Sequence, residues 1–165
     1  MALVTSSSAS SSCEVVEPGD NVVMFFEDGC GNFSWWCGLI VRMQRKAGKS
    51  RVNFAYAIQL STAKEEDVQF ICQWYVQSET ERAQFTFSPE VKDTTAYSAQ
   101  FCLGPVDLVF VSEHRFQLAD PGLLFGFDQA LELTKGAQMG SEIQAPRPPK
   151  SVMKVSTRQK KRKQR

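Results

Sequence analysis

Residues 68–81, VQFICQWYVQSETE, place Val68, Phe70, Cys72, Trp74 and Val76 at alternate positions and then run into two carboxylates, Glu79 and Glu81. Alternation sustained over nine residues is the period of a strand with one buried face. The strand ends in an aromatic pair, Trp74-Tyr75, whose rings must face opposite sides of a sheet. Rings followed closely by acidic groups are the parts of a pocket for an organic cation, because a ring face attracts a desolvated cation and a carboxylate fixes its position. The same rings also suit plain core or rim packing, the commoner use of aromatics in a small β domain.

The flanking sequence extends the β reading in both directions. Residues 51–60 alternate strictly, with Val52, Phe54, Tyr56, Ile58 and Leu60 on one side, and predict a strand with one buried face. Residues 33–43, FSWWCGLIVRM, predict another strand. In it Trp35 and Trp36 point to opposite faces, and Gly38 marks a bulge or a place where another backbone comes close. Residues 21–27 hold the unbroken run Val22-Val23-Met24-Phe25-Phe26, as in a strand covered on both faces, with Phe25 and Phe26 in the core. Turn signals stand at Pro18-Gly19-Asp20, at residues 28–32 (DGCGN) and at Asp120-Pro121-Gly122. Residues 44–50 read as a basic loop and 61–67 as a charged connection.

Toward the C-terminus, residues 84–88 and 101–103 predict short strands, the first stopped by Pro89 and the second broken by Gly104-Pro105. Residues 106–111 predict a compact apolar strand. Residues 123–135 predict a short helix with Leu124, Phe127, Leu131 and Leu133 inward and Asp128 and Glu132 outward. The expected fold is mostly β, a small distorted β-barrel-like domain with a short C-terminal helix and disordered tails. Its divisions are a disordered Ser-rich N-terminus (1–16), the β domain (17–135) and a disordered basic tail (136–165).

A hydrophobic fraction of 42% and 18 aromatic residues in a chain of 165 suffice for one core without metal or crosslinks. The net charge of +1 conceals a division: residues 1–145 carry ten basic against eighteen acidic residues, whereas residues 146–165 carry nine basic and no acidic ones. An acidic body is a poor phosphate-binding surface and a suitable one for a basic peptide. Within the tail, Lys160-Lys161-Arg162-Lys163 reads as a nuclear-import signal or as phosphate contacts.

Five cysteines, Cys13, Cys30, Cys37, Cys72 and Cys102, stand singly beside one histidine, His114, so paired zinc-ligand spacing is absent and an odd count suits a reduced compartment. Apolar runs fall short of a membrane span and the N-terminus lacks the apolar core of a secretory signal, so an intracellular, soluble protein without membrane partners is expected. The sequence around His114, SEHRF, matches no nucleophile elbow or metal-binding helix, and Cys102 reads as a buried, inert thiol. Gly29 and Gly31 open no helix and read as a hairpin turn instead of a phosphate loop. The chain is therefore expected to be a non-enzyme, with no catalytic residue, metal or cofactor.

In order along the chain, Gly19-Asp20-Asn21-Val22, Trp36-Cys37-Gly38-Leu39-Ile40, Trp74-Tyr75 with Glu79 and Glu81, and Asp107-Leu108-Val109-Phe110-Val111-Ser112-Glu113-His114 resemble the motifs of the bromo-adjacent homology (BAH) family across residues 18–118. The resemblance implies a β-rich chromatin module, nuclear, in which some members hold methylated histone lysines in an aromatic cage. Carried onto this chain, it makes Trp36 and Trp74 the cage aromatics, with Tyr75 beside them and Glu79 or Glu81 as the carboxylate. The sequence departs from the pattern at Val76, where several such readers carry a third aromatic, and at Gln77-Ser78, in place of Arg-Pro.

The function expected from these features is a chromatin-associated protein-interaction module that docks a chromatin protein or histone tail through Trp36, Trp74, Tyr75, Glu79 and Glu81. Two alternatives stay open. One is DNA or RNA binding through the basic tail, at Lys160, Lys161, Arg162 and Lys163. The other is an accessory or mobile-element protein that keeps a BAH-like fold without an intact pocket.

Overall fold

The structure, a computed structural model, describes residues 14–87, 95–138 and 146. Among the described residues, eleven strands and two helices run in the order β1 (Val15–Val16), β2 (Asn21–Glu27), β3 (Phe33–Ala47), β4 (Ser50–Phe54), β5 (Ile58–Gln59), α1 (Leu60–Glu65), β6 (Gln69–Gln77), β7 (Gln84–Phe87), β8 (Ala96–Ser98), β9 (Cys102–Val106), β10 (Leu108–Ser112), β11 (Arg115–Leu118) and α2 (Leu123–Gln138). A 3-10 turn, Ala99–Phe101, links β8 to β9.

The mostly β fold is the one the sequence predicts, with a curled, half-barrel sheet. Its strand order is β10-β11-β7-β6-β3-β2-β9, with β4 added to β3 and β8 to β6, and every pairing is antiparallel. The two end strands, β9 and β10, are separated in sequence by Asp107 alone, so the sheet has to curl until its edges approach. The Asp107 carbonyl accepts from the Ala119 amide (2.9 Å), which ties that corner to the end of β11.

Both faces of the middle of the sheet are buried, which is why β2 reads as a continuous apolar run. One face presents Met24, Phe26, Ile40, Phe70, Cys72, Trp74 and Val76 to α1, the β1–β5 ribbon and the 3-10 turn. The other presents Val23, Trp35, Cys37, Tyr75 and Phe85 to Leu124, Phe127 and Leu131 of α2. A register shift between Ile40 and Arg42 pushes Val41 out to solvent and returns Met43 to the first face.

Gly38 pairs with Trp74 across β3 and β6. A Cβ at Gly38 would stand 2.8 Å from Trp74 Cε3 and 3.0 Å from the Cys72 Cβ, so the indole ring lies over the glycine. What lies close to Gly38 is thus a side chain and not the backbone expected there. Trp74 is fully buried and meets Phe26 (5.3 Å between centroids) and Tyr97 (5.7 Å) edge to face.

Several expectations need correction. The strand over 51–60 breaks after Phe54: among the described residues β4 is an edge strand paired only with the end of β3, and Val52 (45% exposed) and Tyr56 (51%) face solvent because no described element covers that part of the sheet. The chain then turns so that Ile58 and Gln59 pair with β1, and Leu60 starts a helix where a charged connection was expected. The basic loop at 44–50 is the tip of the β3–β4 hairpin, with Gly48 at φ +65° in the turn. Two of its cations and the following Arg51 pair with residues just after α1: Arg45 with Glu66 (3.3 Å), and Lys46 (3.6 Å) and Arg51 (3.2 Å) with Asp67. Gly104-Pro105 does not break its strand, because β9 ends the sheet and a missing amide hydrogen is tolerated there.

The expected disordered N-terminus, 1–16, ends too late: Val16 is fully buried in the core, while residues 1–13 lie outside the described residues. The helix continues to Gln138, past the expected boundary at 135, and the tail calls fall outside the described residues apart from Pro146. The structure also adds β11, which the sequence reading missed, returning from a tight turn at Glu113-His114 where His114 takes φ +61°.

The Trp74 ring fixes a stability test. Trp74→Ala is expected to lose about 3–5 kcal/mol, the range for emptying a buried aromatic site, and Gly38→Ala about 1–3 kcal/mol by overpacking against the ring. Urea denaturation measures both, and an unchanged midpoint for Trp74→Ala would place the ring outside the core.

Candidate functional site

From Gly38↔Trp74 to Gln44↔Gln69, β3 and β6 form one ladder; beyond Gly38 they part. Residues 33–37 of β3 follow β2, and residues 75–77 of β6 follow β7. The fork between them is a cleft of about 270 Å³ lined by Ser34, Trp35, Trp36, Cys37, Tyr75, Val76, Gln77 and Phe85. No ladder among the described residues crosses it. Strand edges on both sides therefore offer backbone groups to an incoming extended chain. The volume is at the low end for a small-molecule pocket and suits one or two side chains better than a cofactor.

Each wall belongs to a different face of the sheet. Trp36 packs toward Phe26 (6.3 Å, edge to face), and its indole N–H donates to the Ser34 hydroxyl (3.0 Å). Tyr75 faces the other way. It meets Phe85, Phe87 and Phe116, and its hydroxyl donates to Asn21 Oδ1 (2.8 Å). Burial, with the Cys37 thiol next to it, pushes the Tyr75 hydroxyl up to about 12, so it stays a neutral donor. Burial also raises the Cys37 and Cys102 thiols well above their ordinary range, Cys102 to about 12, which keeps both protonated and unreactive.

Of the five residues expected to bind ligand, the structure brings Trp36 and Tyr75 to the cleft. Trp74 is corrected to a core residue: its ring is sealed between Gly38, Phe26 and Tyr97 and cannot meet a ligand without unfolding the strand. Glu79 and Glu81 are exposed on the β6–β7 turn and do not line the cleft. They do stand at its mouth, because the fork opens at the end of the sheet that carries both the β6–β7 and β2–β3 turns.

The second turn adds Glu27 and Asp28. Amides of its own backbone donate to them: Gly29 (2.8 Å) and Gly31 (2.7 Å) to Glu27, and Cys30 (2.7 Å) to Asp28. The Asn32 side chain also donates to Asp28 (2.9 Å), and these bonds hold the Asp28 carboxyl below its ordinary range. Four carboxylates thus frame the opening. Low-dielectric aromatic walls behind them focus the negative field outward.

The residue that sequence reasoning missed is Trp35. Its ring carries the Arg82 guanidinium at 5.9 Å, and its indole N–H donates to Asp128 on α2 (3.2 Å). Asp128 closes the triangle by accepting from both Arg82 terminal nitrogens (2.9 and 2.7 Å). A cation, a ring and a carboxylate do assemble here, but all three come from the chain itself. The outward placement of Asp128 on a predicted helix was the available signal, and its partner 46 residues away was not visible without the fold.

Other expected groups lie apart. His114 is on the exposed β10–β11 turn beside Glu113 (3.6 Å), while Cys102 is buried in β9. Among the described residues no group of His, Cys, Asp and Glu is arranged to hold a metal ion, and no helix is long and apolar enough to cross a membrane.

The Arg82–Asp128 pair gives a pH test. Chiefly the Arg82 hydrogen bonds hold Asp128 below its ordinary value of 3.8, so its contribution is full above about pH 4 and is lost as pH falls through the lowered folded value. The pair is half exposed, so Asp128→Asn is expected to cost no more than about 1 kcal/mol at pH 7 and to remove part of the acid-side slope of stability. Thermal unfolding of both proteins between pH 2.5 and 7 checks this, and parallel curves would show that the pair does not secure α2. Compared with protein-family models, with curated proteins and with solved structures, the chain matches none.

Proposed function

We propose that this protein is a nuclear, chromatin-associated interaction module that takes an extended basic segment of a partner, such as a histone tail, into the fork between β3 and β6. The observation that carries this reading is the pairing of open strand edges and aromatic walls with an acidic mouth in one place. Backbone hydrogen bonds supply affinity for any extended chain, apolar side chains fill the fork, and lysines or arginines meet Glu27, Asp28, Glu79 and Glu81. The resemblance to BAH domains and the basic run Lys160–Lys163 support the chromatin and nuclear parts of the proposal.

The geometry favours recognition of a basic chain over a methyl-lysine cage. A cage needs rings that converge on one point, whereas Trp36 and Tyr75 lie on opposite faces of the sheet, Trp74 is sealed, and Arg82 already covers Trp35. Binding is therefore expected to follow peptide charge more than lysine methylation.

The test titrates labelled histone-tail peptides, methylated and unmethylated, into the full chain and into a chain ending at Pro146 that keeps every described element. Trp36→Leu is expected to weaken binding about tenfold, about 1.4 kcal/mol. Glu79→Gln with Glu81→Gln is expected to weaken it severalfold and flatten its salt dependence. Silence across the panel from both folded chains would end this reading. Strict dependence on methylation would restore a cage.

A further inference from the structure

β10 ends the sheet, and among the described residues β11 is its one neighbour. Side chains on both of its faces meet solvent: Val109 is 53% exposed, Phe110 65% and Val111 49%. The hydrogen-bond phase of this strand is fixed by its surroundings. Ala119 donates to the Asp107 carbonyl (2.9 Å), and toward β7 Leu118 donates to the Ala83 carbonyl (2.9 Å). Bonded and non-bonded pairs alternate along an antiparallel ladder. Val109, opposite Gln117, therefore directs its amide and carbonyl to β11, whereas Leu108 and Phe110 direct theirs outward, away from the sheet.

We infer that this edge is an interaction surface for a second copy of the chain: two β10 strands pair antiparallel about a two-fold axis at Val109 and join two sheets into one. β11 and β7 stand between β10 and β6, so this pairing leaves the β3–β6 fork open and does not depend on what the fork binds.

The outward groups set the register. Leu108 exchanges both of its backbone bonds with Phe110 of the other copy, and Phe110 with Leu108, four bonds in all. Val109 faces its own counterpart as the non-bonded pair between them. The bonded stretch ends before the register shift between Phe110 and Ser112, where the phase of the ladder changes. Because the same patch meets itself, one pairing event removes both free edges and the assembly closes at two copies.

Side-chain chemistry favours this occupant. From Leu108 to Ser112 the strand holds no charge, glycine or proline, the devices that keep a sheet edge from pairing. The two other five-residue strands at edges have them: β9 contains Gly104-Pro105, and β4 carries Arg51 with Lys46 and Lys49 beside it. An uncharged strand gives a charged partner nothing to recognise and matches one like itself. On the face toward α2, rings run from Tyr75 through Phe116 to Phe110, with centroids 5.7 and 6.0 Å apart, and the row stops in solvent. In the pair, the half-buried Leu108 of the other copy covers Phe110 and closes that row.

The area sets the strength. The exposed parts of Val109, Phe110 and Val111 amount to roughly 300 Å² of apolar surface per copy. A standard interface buries about 800 Å² per partner, so this one belongs to the weak, reversible class. Half-association is expected at roughly 100 μM.

Sedimentation equilibrium of the full chain, from about 1 to 500 μM, reads the association. Monomer at the low end and dimer at the high end are expected. Val109→Lys, at an exposed site, sets two ammonium groups face to face across the axis and is expected to weaken association at least about tenfold. Monomer throughout leaves the edge to another protein's strand or to none and overturns the inference, as does growth past the dimer or association that Val109→Lys leaves unchanged.

Cysteine capture tests the register in a Cys13→Ser, Cys30→Ser background. Val109→Cys is expected to form an intermolecular disulfide on mild oxidation, since the non-bonded pair brings its Cα atoms to about 4.5 Å. Val111→Cys stands about 14 Å from its counterpart in this register and is expected to stay uncaptured. Equal capture at the two sites, or capture at neither, overturns the two-fold pairing.

Discussion

The indole of Trp74 lying across Gly38 sets the geometry of the whole sheet. Because position 38 has no side chain, the ring fills the space above β3 and locks β6 to it at that pair. The ring also gathers Phe26 from β2 and Tyr97 from β8, so four strands meet at one aromatic contact. Past that point no ladder among the described residues joins β3 to β6, and each follows its outer neighbour. The cleft is the direct result: it opens where the last tie ends.

The same packing explains why an aromatic-rich sheet does not assemble a box of rings. Adjacent tryptophans on one strand are committed to opposite faces by the pleat. Trp36 joins the face that holds Phe26 and Trp74, while Trp35 joins the face under α2. The ionic partner that the Trp35 ring attracts is Arg82, fixed by Asp128, so this ring's electrostatic capacity is spent on fastening the helix to the sheet. What remains for a ligand is the gap between the two faces, with backbone edges along its sides and carboxylates on the turns at its lips.

Local periodicity revealed those elements whose burial is decided by their own neighbours. The apolar run of β2, the alternation of β6 and the inward Leu124, Phe127 and Leu131 of α2 were readable because a neighbouring layer covers those positions, whereas Leu133, expected inward with them, is 78% exposed. Residues 51–60 alternate just as cleanly, yet β4 runs beyond the layers that would cover it, and alternation carries no information about whether a covering layer exists. In the site, Trp36 and Tyr75 were legible as residues near a pocket, and Glu79 and Glu81 as its acidic company. Trp74 was misplaced because the space that hides it is made by a glycine 36 residues earlier, a coincidence of register that only the folded pairing supplies. Trp35 was overlooked as a site residue for a related reason: its partners come from the β6–β7 turn and from α2.

The continuity of β9 and β10 through Asp107 bears on how the chain reaches this state. β2 is made early in the chain and waits for β9, some eighty residues later, to complete its second edge. Ordering so long a loop before any ladder bond rewards it makes this the slow step. The same step delivers β10 to the opposite end of the sheet, where Val109, Phe110 and Val111 remain solvent-facing even in the finished fold. Until closure, the chain therefore presents two open strand edges at once, one of them apolar, and its susceptibility to intermolecular pairing is greatest in that interval.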